Sequence, residues 1–264
     1  MTTANSSDTP NLIQPKKEKT FPVMEIFGPT IQGEGLVAGT QTHFIRFGLC
    51  DYKCTKCDSM HAVDPLSVKQ HAEYLTIDEI IARVSKLPEV PWITLSGGNP
   101  AIHRLDFLVV ELGRLGYKVA VETQGTLAPS WLHLVDVLTV SPKSPGMGET
   151  FEPDKFTNFL DLFHKHQGLN IKIPVFNQID LDFAAEVYEL AQGWVANRDI
   201  FYLSLGNPWP PGSENEPVAD EDLVQQLLME YKSMFEDIKT TPRLKHFRFL
   251  PQLHVLVWGN ARGK

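Results

Sequence analysis

Apolar positions along the 264-residue chain fall into short runs of two alternating kinds. "THFIRF" (42–47) alternates apolar and polar residues of aromatic and β-branched type, the period-two pattern of a strand. Thr76 and Glu79 have the spacing of a capping box, and Ile77, Ile80, Ile81, Val84 and Leu87 then share one helical face until Pro88 ends the run. "WITL" (92–95) predicts a short buried strand running into "SGGNP". Leu105, Leu108, Val109, Leu112 and Leu115 form a second helical stripe, followed by a strand at "YKVAVET" (117–123). The alternation continues with strands at 135–140, 169–175 and 200–205 and helical stripes over 183–195 and 223–238. It closes with a predicted strand at "LHVLVW" (253–258).

Repeated βα units with short connections predict an α/β fold: a mainly parallel sheet with outer helices, either doubly wound or a full or partial barrel. In these architectures chemistry gathers beyond the carboxyl ends of the strands. Here the cysteines follow 42–47, "SGGNP" follows 92–95, "ETQGT" follows 117–121 and "SPK" follows 135–140, so polar or Gly-rich motifs share one edge. Residues 1–20, rich in Ser, Thr, Asn, Pro and Lys, have little to bury and predict a flexible tail before one domain over 21–264. "NPWPPGSENEPVAD" (207–220) predicts a surface loop.

Composition narrows the function classes. Hydrophobic residues at 42% and charged residues at 21% are ordinary for a globular domain. A formal net charge of −8 argues against a nucleic-acid partner, which calls for a basic face. No stretch approaches the roughly 18 apolar residues of a membrane span, and the first twenty residues lack the apolar core of a secretory signal. A cytoplasmic, reducing location is therefore expected.

All three cysteines, Cys50, Cys54 and Cys57, lie in "CDYKCTKC". An odd number of clustered thiols suggests metal or redox chemistry and not a disulfide framework. Three readings stay open on spacing alone. His61 can complete a four-ligand zinc site with the three thiolates. A cubane iron–sulfur cluster on three thiolates leaves one iron free for a non-protein ligand. The third reading is simple packing, which the polar loop around Lys53 and Lys56 makes the poorest of the three.

Cys50-x3-Cys54-x2-Cys57 resembles the signature of the radical S-adenosylmethionine (SAM) enzymes, and "SGGNP" resembles their GGEP motif. More specifically, "MEIFGPTIQGEGLVAGTQTHFIRFGLC" (24–50) resembles the opening of the 7-carboxy-7-deazaguanine synthase family. "CDS" (57–59), "ETQGT" (122–126), "SPK" (141–143) and "QLH" (252–254) follow in that family's order, so the resemblance spans about 21–258. It implies a partial (β/α) barrel of the radical SAM type. It also implies conversion of 6-carboxy-5,6,7,8-tetrahydropterin to 7-carboxy-7-deazaguanine, a ring contraction with loss of ammonia in 7-deazapurine biosynthesis of the queuosine type. The implied cofactors are a [4Fe-4S] cluster, S-adenosyl-L-methionine and Mg²⁺. The implied partners are the pterin substrate, an electron donor such as flavodoxin or ferredoxin, and a second copy in a homodimer.

The same resemblance assigns residues. Cys50, Cys54 and Cys57 would hold the cluster, with Asp58, Gly97, Gly98, Asn99, Ser141, Pro142 and Lys143 around SAM. Arg46 offers a planar fork to the substrate carboxylate. Gln32, with the backbone of Ile31 and Gly33, would read the pterin's amide and amino edge, and Glu34 would accept from its N–H groups. Ser96 and His254 complete the substrate set, and Ser59 keeps the hydroxyl that would meet Mg²⁺.

The chain departs from the family pattern at four places. Asn99 stands for the Glu of GGEP, Gln124 for a common Ser and Val255 for a Lys, and the chain continues past His254. Two other readings fit parts of the sequence: a radical SAM activase that installs a glycyl radical on a partner protein, and a zinc-stabilised binding module without enzymatic activity.

Overall fold

Two antiparallel strands open the fold, β1 (Phe21–Ile31) and β2 (Gln41–Phe47), with Glu25 opposite Arg46 and Phe27 opposite Phe44. The computed structural model describes residues 19–195, 199–210 and 220–264, so most of the expected tail and residues 211–219 of the Pro-rich stretch lie outside the described residues. The cysteine loop leads from β2 into α1 (Met60–Val63) and α2 (Pro65–His71), and the Asp64 side chain caps α2 by accepting from the Ser67 N–H. β3 (Glu73–Leu75) then pairs antiparallel with β1. The remaining elements are α3 (Ile77–Val84), β4 (Trp92–Gly97), α4 (Asp106–Arg114), β5 (Lys118–Thr123), β6 (Val137–Val140) and α5 (Pro153–Phe163). They are followed by β7 (Leu169–Val175), α6 (Gln178–Val195), β8 (Phe201–Leu205), α7 (Asp220–Thr240), β9 (Arg248–Leu250) and α8 (Leu253–Trp258).

Among the described residues, nine strands form one sheet in the order β3-β1-β2-β4-β5-β6-β7-β8-β9, and every pair from β2 to β9 is parallel. Side-chain alternation gives this sheet two unlike faces. Ile45, Leu95, Val121, Val140, Ile173 and Leu203 are fully or almost fully buried and join one apolar core. Ile80, Leu108, Phe159, Ala184 and Leu227 bring the helices into that core. Each such side chain contributes about 1.5–3 kcal/mol on burial. The opposite face carries Arg46, Ser96, Glu122, Lys172 and Ser204 and, among the described residues, has no helix layer of this kind; the β1–β2 turn lies across part of it. A Cβ on Gly35 would sit 3.2 Å from Asn170 Oδ1 and 3.7 Å from Thr139 Oγ1. One oily face under helices and one polar face left open is the arrangement expected of the partial barrel.

The helix start at Thr76 is as the sequence predicts, with the capping box closed in both directions. The closing strand is not. Residues 253–258 form α8, in which Gly259 N–H donates to Val255 C=O at 2.8 Å, and Gly259 stops the helix at φ +57°. Six residues are too few for period two to outweigh a proline just before the run and a glycine just after it. The last strand is the shorter β9, and His254 therefore stands on a helix. Among the described residues no helix is long and apolar enough to cross a membrane.

Candidate active site

The three cysteines open onto one wall of a cavity on the polar face, beside Gly97, Gly98 and Gln124. Their loop is pinned from the segment after β6. Thr55 N–H donates to Met147 C=O at 2.9 Å, and Lys53 N–H donates to Glu149 Oε1 at 2.6 Å. Burial pushes the Cys54 thiol up to about 11 and the Cys57 thiol up to about 12, and it raises Cys50 as well. Such a set holds its thiolates only when a strong positive charge joins it, as an iron–sulfur cluster or a metal ion does. His61 does not complete the set. Its Nε2 lies 3.7 Å from Glu25 Oε2, and the residue is not part of the cavity lining. Three thiols facing an open cavity fit a cluster with one exchangeable corner.

Behind the cysteines the chain approaches itself closely. Gly97 has φ +129°, and a Cβ on it would sit 2.0 Å from Phe47 C=O; one on Gly98 would sit 1.9 Å from Leu49 C=O. Only glycine lets β4 end flush against the start of the cysteine loop. Asn99 follows and is 0% exposed. Its Oδ1 accepts from Ala101 N–H and Thr123 Oγ1, and its Nδ2 donates to Asp51 Oδ1 at 2.8 Å. Ser141 and Pro142 are buried behind the wall, whereas Lys143 reaches the cavity with Nζ 2.6 Å from Ser141 Oγ. Asp180 fixes this stretch by accepting from the Ser144 hydroxyl and from Phe176 N–H at 2.8 Å.

The other end of the cavity is lined from β1, β2, β5 and β7, and Ser204 of β8 donates its hydroxyl to Glu34 there. Arg46 donates from Nε to Glu25 Oε2 at 2.7 Å and from Nη1 to Ser59 Oγ at 2.6 Å. His61 and Arg46 hold the Glu25 carboxyl down to about 2, against the opposing effect of burial. Lys172, 3% exposed, sits between Glu122 Oε1 at 2.7 Å and Glu34 Oε2 at 3.1 Å. Burial pushes the Glu34 carboxyl up, yet Lys172 and the Ser204 hydroxyl outweigh it and hold the group below the usual carboxylate range. Burial disfavours the Lys172 ammonium, and its two carboxylates more than offset that, keeping it protonated beyond the usual lysine range.

Gln252, just before α8, and His254 on it join this end. Gln252 Nε2 donates to Glu34 Oε1 at 3.3 Å, and Leu253 N–H donates to Gly33 C=O at 3.2 Å. His254 covers Gly33 so closely that a Cβ there would lie 2.2 Å from Nδ1. Lys264 also lines the cavity, so the residues past His254 turn back toward it.

Of the residues singled out in the sequence, Ile31, Gln32, Glu34, Arg46, Asp58, Ser59, Ser96, Gly97, Gly98, Lys143 and His254 line this one cavity with the cysteines. Gly33, Asn99, Ser141 and Pro142 stand behind it and shape it. Sequence reasoning gave no role to Asp51, Glu122, Lys172 or Gln252. Lys172 had a visible signal, a lone lysine inside the apolar run "LNIKIPV", at a position facing away from the helices.

The chain is 37% identical to the 7-carboxy-7-deazaguanine synthase of Bacillus subtilis strain 168 over 257 residues, covering 93% of this chain and 99% of that one. It is 36% identical to the 7-carboxy-7-deazaguanine synthase of Bacillus cereus, covering 92% and 98%. Among solved structures, the crystal structure of QueE from Escherichia coli matches with a TM-score of 0.59 at 20% identity, covering 88% of this chain and 94% of that one. It supports the fold. No family model matches the chain. With more than a third of its residues shared with a curated relative along nearly the whole of both chains, the protein belongs to the 7-carboxy-7-deazaguanine synthase family.

Proposed function

We propose that the protein converts 6-carboxy-5,6,7,8-tetrahydropterin to 7-carboxy-7-deazaguanine with loss of ammonia. The observation that carries this reading is one cavity with three thiols on one wall and a guanidinium and a buried Glu–Lys–Glu set on the other. Cys50, Cys54 and Cys57 would hold a [4Fe-4S] cluster at the thiol wall, and with SAM it would supply radical chemistry to a substrate in the cavity. An electron donor such as flavodoxin or ferredoxin is the source of the reducing electron.

The chain's own residues bind and orient. Arg46, steadied by Glu25, meets the substrate carboxylate with a charged fork. Glu34, kept ionised by Lys172, accepts from the N–H edge of the pterin ring, and Gln32 beside it supplies both a donor and an acceptor. Lys172 lets Glu34 and Glu122 stand on the same face without repelling each other. Ser59 offers one hydroxyl to Mg²⁺ from the wall that holds Arg46. That donor set fits an ion carried mainly by substrate and water.

Anaerobic protein loaded with iron and sulfide and given the carboxy-tetrahydropterin, SAM, Mg²⁺ and a reductant tests the reading. Formation of 7-carboxy-7-deazaguanine and ammonia supports it. SAM consumption without either product overturns it.

A further inference from the structure

Gln124 reaches the thiol wall from the end of β5. It follows Thr123, the last residue of that strand, is 8% exposed and lines the cavity beside Cys50. Its amide carries two N–H groups. Nε2 lies 2.5 Å from Asp51 Oδ1 and 3.5 Å from Cys50 Sγ, so one N–H is given to a carboxylate and the other to a thiol. Asp51 decides which end of the amide faces the sulfur, because a flipped amide would set its carbonyl oxygen against the carboxylate. Asp51 is itself held by Asn99 Nδ2 at 2.8 Å and by the Thr126 hydroxyl. The Gln124 amide is therefore aimed at Cys50 by groups from two strand ends.

The same sulfur accepts from the Tyr52 N–H at 3.4 Å, a backbone donor that any residue but proline at 52 would supply. The donor from Gln124 is different in kind, since it depends on the residue at a position where this chain departs from the family's common Ser. A serine has one hydroxyl proton and cannot serve an acid and a thiol together. A hydrogen bond to a cluster sulfur strengthens as the sulfur gains negative charge, so it favours the reduced state over the oxidised one.

We propose that Gln124 raises the reduction potential of the iron–sulfur cluster by donating an amide N–H to the Cys50 sulfur. This rests on the functional reading above, in which Cys50, Cys54 and Cys57 hold that cluster. Gln124 acts through Cys50 and is a positioning residue: it sets how readily the site takes up the one electron that a donor protein brings.

The test is a dithionite redox titration of anaerobic, cluster-loaded protein without SAM or pterin, followed by the electron paramagnetic resonance signal of the reduced cluster. Iron and sulfide content is measured alongside. Q124M keeps the length of the side chain and removes both N–H groups. It is expected to keep its cluster, with one-electron reduction about tenfold less favourable, which is a potential lower by about 59 mV. T126V removes a donor to Asp51 and leaves the bond to Cys50, so it should keep the wild-type potential. An unchanged potential in Q124M would mean that the bond has no effect on reduction, and an equal drop in T126V would mean that the shift comes from Asp51; either result overturns the proposal. If Q124M takes up no iron, Q124N decides by the same titration, since it draws the amide back by one methylene and should also lower the potential. If neither Gln124 variant loads a cluster, Gln124 builds the site and does not tune it, and the proposal fails. Wild-type protein that takes up no iron instead overturns the functional reading.

Discussion

Gln252 donates its amide to the Glu34 carboxylate at 3.3 Å, joining residues 218 positions apart. The chain's first motif and its last thereby form one wall, and Lys172 anchors it from the sheet through Glu34 and Glu122. This wall is buried and charged, so its members depend on one another.

Replacing Lys172 by Met leaves two carboxylates facing each other without a cation. Removing one partner of a buried ion set costs about 3–5 kcal/mol. Urea unfolding of K172M is expected to show a loss of that order, and restoring a cation with K172R should recover part of it. A loss below about 1 kcal/mol would contradict the buried geometry.

Each cysteine is expected to be required for iron, and His61 is not. Anaerobic preparations of C50A, C54A and C57A should lose most of their iron and sulfide, while H61A keeps both. Loss of metal in H61A, with one zinc per chain in the wild type, would return the zinc module to favour.

Arg46→Lys keeps a positive charge but loses the planar fork. The KM for the carboxy-pterin is expected to rise about 10- to 100-fold, the scale of a charged hydrogen bond. Cluster content should be unchanged, because Arg46 contacts Glu25 and Ser59 and no thiol. An unaltered KM would remove Arg46 from substrate recognition.

Glu25 has its folded-state carboxyl lowered from 4.5 to about 2. Its contribution to stability is therefore fully present above about pH 4.5 and is lost as the pH falls toward 2. E25Q is expected to flatten the stability curve across that window. A wild-type and an E25Q curve of equal slope there would contradict the pairing with His61 and Arg46.

Gly98→Ala places a methyl carbon 1.9 Å from Leu49 C=O, a backbone atom that cannot swing aside. Overpacking of this kind costs about 1–3 kcal/mol. The variant should melt at a lower temperature and lose iron, since Leu49 leads directly into Cys50.

Much of this was legible in the chain. The strand at 42–47, the Thr76 capping box and the motifs after successive strands all depend on local chemistry that a sequence displays. The departures had physical causes. α8 was hidden because a six-residue run with five apolar positions satisfies either period, and its outcome was set by Pro251 and Gly259. Glu122 and Lys172 escaped because their roles come from register: each lies on a different strand, and only the assembled sheet brings them together. Asn99 could be recognised as a departure, but the acid that answers it sits 48 positions earlier and is revealed only by the fold.

The two-faced sheet also governs how this protein can change over time. Glu122 looks into the cavity and Val121 into the oil because they are neighbours on one strand. A single inserted or deleted residue within β5 would exchange those destinations and ruin core and chemistry in one stroke. The strands therefore behave like a reading frame: length variation is confined to the connections between them, while point substitutions on the inward positions can retune what the cavity accepts without disturbing the fold that carries it.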